Sequence, residues 1–173
     1  MEFRVVHGDI AQQSADVLVN AARTSLRMGS GVAGALRRRG GPELNEAAAG
    51  QGPIDLGSVA VTEAFELDAD WVIHAAAMPH YGDAEATAES IRDATRHSLE
   101  RADELGCESL VIPALGCGVA GFPLEDGARI VCETIDAYRP ESLSDVRFVA
   151  YDEAEFETVE RVANEVRDRT GGD

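Results

Sequence analysis

Lysine is absent from this 173-residue chain, and all fifteen of its cationic side chains are arginine. They face 32 carboxylates, for a formal charge of −17 at pH 7. Sequence-independent affinity for nucleic acid comes from cations meeting phosphates, so this excess of acid disfavours nonspecific nucleic-acid binding. A lysine-free, carboxylate-rich surface suits a cytosol of molar salt, where screening suppresses self-repulsion. A halophile's protein is therefore expected, with an acidic mesophilic composition as the alternative. The cations cluster at Arg37, Arg38 and Arg39, which on a helix splay over different faces and read as a solvated helix end.

Cysteine is scarce as well. Cys107, Cys117 and Cys132 are odd in number, widely spaced and without a CxxC, which excludes a disulfide framework and a thiolate zinc site. His7, His74, His80 and His97 have no ligand spacing, so no metal site is expected. No apolar run approaches the roughly 18 residues of a membrane span, and MEFRVVHGDI lacks the basic-then-apolar pattern of a signal peptide. No membrane partner and a cytoplasmic location follow as expectations. With 45% apolar and 27% charged residues the composition is globular, and disorder is not expected. The length suits one domain, expected over 1–170 with a short Gly-Gly-Asp tail over 171–173.

Short apolar runs alternate with longer helical patterns, the signature of an α/β layered domain. Strands are predicted over Phe3–Val6, Asp16–Val19, Ser58–Thr62, Trp71–Ala75, Ser109–Ile112 and Val146–Tyr151, enough for one six-stranded sheet. Helices are predicted over Gly31–Arg39, Pro42–Ala49, Ala84–Leu105, Leu124–Tyr138 and Ala154–Arg169. Pro42 and Pro123 stand where helices begin and Gly106 where one ends. The longest helix is marked by Ile91, Ala94, Thr95, Ser98, Leu99, Ala102 and Leu105 at helical spacing.

Two segments echo one another. Gly29-Ser30-Gly31-Val32-Ala33-Gly34 and Gly116-Cys117-Gly118-Val119-Ala120-Gly121 differ only at their second residue and start 87 residues apart. Each leads into a helix. Glycines let backbone approach a ligand, and free N–H groups at a helix start hold an anion without a cationic side chain. Two such loops can embrace a diphosphate, which suits a chain with few cations to spare. The plain alternative is a pair of turns with glycines at positive φ. Both segments also match GxGxxG, so a dinucleotide-binding oxidoreductase is a competing reading. That fingerprint needs its first glycine at a strand end and an acidic residue about 20 positions on. Gly29 instead comes nine residues after Asn20, and Phe122-Pro123 interrupts the second strand-to-helix turn.

Polar residues are expected at strand ends: Gly8-Asp9-Ile10 after the first, Asn20 closing the second, Tyr151-Asp152 closing the last. A carboxylate such as Asp9 accepts from an exocyclic amine, and a ring such as Tyr151 stacks on a base. Equally, Asp9 serves as a turn former and Asn20 as a tie for loop backbone. His74, in an apolar strand, reads as a satisfied core histidine. Cys117 has no evident His partner and reads as a packing residue rather than a nucleophile.

The ordered set GDI, VNAA, GSGVAGAL, PALGCGVAGFPLE and VAYD, from about Val6 to Asp152, resembles the macro domain family. The resemblance implies a three-layer α/β/α sandwich with a mixed, mostly parallel six-stranded sheet, and ADP-ribose or an ADP-ribosylated substrate as ligand in a cleft over the strand ends. It implies no cofactor. Carried over by position, Asp9 takes the adenine amine, Ile10 offers backbone beside it, and Tyr151 packs on the base. Gly29, Ser30, Gly31, Val32 and Ala33, with Gly116, Cys117, Gly118, Val119, Ala120, Gly121 and Phe122, wrap the diphosphate and distal ribose. Departures gather around that ribose. NAAN reads Asn20-Ala21-Ala22-Arg23, so Arg23 replaces the second Asn. Ala33 stands where hydrolytic members often carry Asp, Ala120 where many carry an aromatic residue, and Met28 where some have His. Asn20 and Arg23 are the candidate catalytic residues for attack of water on the distal ribose or its ester. The function expected is ADP-ribose binding with ADP-ribosyl hydrolase activity or, alternatively, a non-catalytic reader.

Overall fold

In the computed structural model, residues 1–79, 85–117 and 121–171 are described. The strands are β1 (Glu2–His7), β2 (Val17–Arg23), β3 (Val59–Glu63), β4 (Trp71–Met78), β5 (Ser109–Ile112) and β6 (Asp145–Ala150). The helices are α1 (Gly31–Gly40), α2 (Pro42–Ala49), α3 (Ala88–Glu104), α4 (Leu124–Ala137) and α5 (Glu153–Gly171), with a 3-10 turn at Ile10–Gln12. The strands form one six-stranded sheet in the order β1-β6-β5-β2-β4-β3, parallel throughout except for the edge pair β3–β4.

Side chains of β2 alternate between two cores. Val17 and Val19 pack with residues of α3, α4 and α5, whereas Leu18 and Ala22 pack with those of α1 and α2. Burial on both faces is why the central strands read as near-continuous apolar runs. The result is the expected α/β/α sandwich with a mixed, mostly parallel sheet.

The element boundaries differ from expectation where pairing decides them. β2 runs to Arg23 rather than Val19, and β4 to Met78 rather than Ala75. Each extends the other, in register from Val17↔Trp71 to Ala22↔Ala76, so the ladder carries alanines with little strand propensity of their own. The expected start of α3, Ala84, lies outside the described residues. The helix begins at Ala88 after a capping box, with Thr87 Oγ1 accepting from Ser90 N at 3.0 Å and Ser90 Oγ from Thr87 N at 2.9 Å. A 3-10 turn that no sequence pattern signals follows β1; Asp9 caps it, its Oδ1 accepting from Ala11 N at 2.9 Å. α5 continues through Gly171, into the expected tail. Among the described residues no helix is long and apolar enough to cross a membrane.

Candidate functional site

The parallel strands all present their carboxyl ends to one edge of the sheet. β2 leads to α1 on one face, while its neighbour β5 leads to α4 on the other. The chain therefore parts above this pair, at the kind of switch point where open α/β sheets take ligands. A cleft of about 840 Å³ lies there, within the range of small-molecule sites. Its floor includes Ala21 of β2 and Pro113 and Ala114 after β5.

Of the residues singled out in the sequence, Asp9, Ile10, Ser30, Gly31, Val32, Cys117, Phe122 and Tyr151 line this cleft. The pairing of β1 with β6 brings Asp9 and Tyr151 to one end, because His7↔Ala150 is the last register pair and Gly8 N donates to Ala150 O at 2.9 Å. Tyr151 is 71% exposed, a ring standing at the rim. Gly29, Ala33, Gly116 and Gly121 are not part of the described wall. Ala33 faces the core beneath α1. Gly116 turns the chain at φ 75°, where a Cβ would meet Ala86 Cβ at 2.7 Å. Gly118, Val119 and Ala120 lie outside the described residues.

Two helices open onto the cleft through Gly31 and Leu124, and neither α1 nor α4 has a side-chain cap. Their first-turn amides have no side-chain cap, and the peptide dipoles favour an anion at both places. α5 begins differently: Asp152 Oδ1 already accepts from Glu155 N at 2.8 Å. The walls of the cleft thus offer backbone donors in its middle and a carboxylate with a ring at one end.

The family model for the macro domain matches residues 19–131. The chain belongs to the macro domain family. A macro domain-containing protein of Streptomyces griseus is 42% identical over 166 residues, covering 90% of this chain and 93% of that protein. A Mycobacterium tuberculosis protein is 42% identical over 154 residues, 89% of this chain, which spans only 42% of that relative. Among solved structures, the Oceanobacillus iheyensis macrodomain with ADP superimposes with a TM-score of 0.86 at 26% identity, over 95% of this chain and 91% of that one. The Trypanosoma brucei macrodomain in complex with ADP-ribose gives 0.79 at 27% identity, over 91% and 67%.

Within this macro domain, Asn20 and Arg23 do not reach the described cleft wall. The extension of β2 places Asn20 inside the strand rather than at its end, 1% exposed, with Nδ2 3.0 Å from His74 Nδ1. His74 is bound on its other side to Thr62 Oγ1 at 2.9 Å, and burial pushes its pKa down to about 4. It is a core histidine satisfied on both nitrogens. Arg23 ends the strand and turns toward β4, donating from Nη1 to Pro79 O at 2.8 Å. Met28 is buried in the α1 core, its N–H donating to Asn45 Oδ1 at 2.9 Å. Burial, with Glu155 and Asp126 nearby, pushes the Cys117 thiol up to about 11, which removes the thiolate a nucleophile needs. Sequence reasoning missed Arg38, Glu155 and Thr158, which also line the cleft. Helical spacing from Gly31 carries the signal for Arg38, at i+7 on the same face.

Proposed function

We propose that this cleft binds ADP-ribose or a derivative of it, an O-acyl-ADP-ribose or an ADP-ribosylated protein, and that residues 1–170 act as one macro domain. The observation that carries the reading is the pair of uncapped helix starts, α1 and α4, opening onto one cleft that has Asp9 and Tyr151 at its end. A diphosphate is held by backbone donors, and a purine amine by the Asp9 carboxylate with the tyrosine ring against the base. The ADP of the related Oceanobacillus iheyensis macrodomain structure and the ADP-ribose of the Trypanosoma brucei complex support the same ligand class.

Binding without rapid turnover is the form of this function that the residues favour. Arg23 is engaged with a backbone carbonyl, Ala33 supplies no carboxylate, and Cys117 is held as a thiol. Positioning and proton transfer supply much of a hydrolytic rate. Calorimetry with ADP-ribose, AMP, ADP and NAD in high-salt buffer tests the ligand. Tightest binding of ADP-ribose is expected, and preference for NAD would return the reading to a dinucleotide enzyme. Timed release of ADP-ribose from Asp-, Glu- and Arg-linked substrates should be slow. Rapid release that collapses in Arg23→Asn would instead make Arg23 catalytic.

A further inference from the structure

The side-chain charge of the cleft is uneven. Asp9, Asp152 and Glu155 stand on its wall against the guanidinium of Arg38. A dianionic diphosphate entering this space meets three carboxylates, so the position of that cation matters.

Arg38 differs from its neighbours in sequence. Arg37 donates from Nη1 to Met28 O at 3.0 Å, whereas among the described residues Arg38 makes no hydrogen bond, ion pair or ring contact. Of the run Arg37 to Arg39, Arg38 lines the cleft. Helical side chains lean toward the N-terminus, and here the guanidinium reaches back over Gly34. Its Nη1 lies 3.3 Å from where a Cβ on Gly34 would stand, and Gly29 O lies 2.9 Å from the same point. The bare α-carbon of Gly34 therefore makes room for the cation beside the first glycine segment. The segment that carries this cation, residues 17–42, contains no Asp or Glu.

We infer that Arg38 is a specificity-determining residue, the side-chain counter-ion to the diphosphate, through which the cleft prefers a nucleoside diphosphate to the uncharged nucleoside. The inference rests on the ADP-ribose reading above and names the group that makes that site charge-selective.

Calorimetric titration of the unmodified protein, Arg38→Gln and Arg38→Lys with ADP-ribose and with adenosine tests it, at about 0.2 and 2 M KCl to span weak and strong screening. Arg38→Gln should weaken ADP-ribose on the order of tenfold at the lower salt, as loss of one charge-assisted contact does. The loss should shrink at the higher salt, adenosine should bind unchanged, and Arg38→Lys should retain most of the affinity. Equal losses for both ligands would make Arg38 a packing or stacking partner of the nucleoside and overturn the inference. Unchanged ADP-ribose affinity in a folded Arg38→Gln would overturn it as well, while leaving the ADP-ribose reading intact. Failure of the unmodified protein to bind ADP-ribose would refute that reading itself, before any variant is compared.

Discussion

Asp9 does two jobs with one carboxylate. Its Oδ1 holds the amide of Ala11 at 2.9 Å, and among the described residues the other oxygen accepts nothing while the residue lines the cleft. Asp9→Ala should weaken ADP-ribose by about 1.5–3 kcal/mol, the range for a hydrogen bond to a charged group. Calorimetry checks this, and unchanged affinity in both Asp9→Ala and Tyr151→Ala would remove the base from this end of the cleft. His74 carries a second expectation at the same scale. Its pKa falls from 6.5 to about 4 because burial disfavours the charged ring. The unfolded chain therefore binds a proton that the folded one refuses. This contribution is fully present above pH 6.5 and is lost as pH falls toward 4, by about 3 kcal/mol. Urea unfolding of the unmodified protein and His74→Gln across that window measures it. A loss of the same size in both would assign the acid sensitivity to the carboxylates.

At the scale of elements, what matters is how each helix starts. α3 is closed by the Thr87–Ser90 capping box and α5 by Asp152, whereas α1 and α4 start at the cleft without a side-chain cap. Side-chain caps at the latter two would occupy the donors that an anion uses. Gly31, the first residue of α1, has φ 63° and lines the cleft. Gly31→Glu introduces both a strained backbone and a negative charge facing the proposed diphosphate. Like-charge contact costs several kcal/mol, so ADP-ribose affinity should fall by more than about a hundredfold. Titration of the variant, with its fold verified by circular dichroism, decides this. Near-normal binding would mean that the α1 start is not a phosphate site.

The whole molecule carries 32 carboxylates against fifteen guanidinium groups, and its packing does little to pair them. A compact network joins α4 to α5, with Arg129–Glu165 at 2.7 Å, Arg161–Glu125 at 3.0 Å and Arg161–Glu165 at 3.2 Å. Arg161, Glu125 and Glu165 are exposed and Arg129 is half-buried, and exposed pairs contribute little. Net self-repulsion therefore acts on the folded state and weakens as the Debye length shortens. The melting temperature should rise from about 0.1 to 2 M KCl as screening increases. A flat profile would show that the charge excess does not govern stability and would remove the basis for expecting a halophilic protein.

Local pattern determined much of the architecture. α2 falls at Pro42–Ala49 and β5 at Ser109–Ile112 as the sequence predicts, because proline at a helix start and a short buried apolar run act within a few residues. The ordered motifs also identify the family and bring Asp9 and Tyr151 into consideration. Neighbours distant in the chain decided the rest. Asn20 lies inside β2 because β4 extends the ladder past it. The two glycine segments look alike in sequence, but the 3.6-residue turn of α1 sends Ala33 to the core while Gly31 and Val32 face the cleft. The same periodicity brings Arg38 to that wall while it stays exposed in the last turn of α1, the solvated helix end that the sequence predicts. Side-chain identity and spacing define which chemistry is available, but which groups share one space depends on strand order and helix rotation, and these are set by burial against residues far away in the chain.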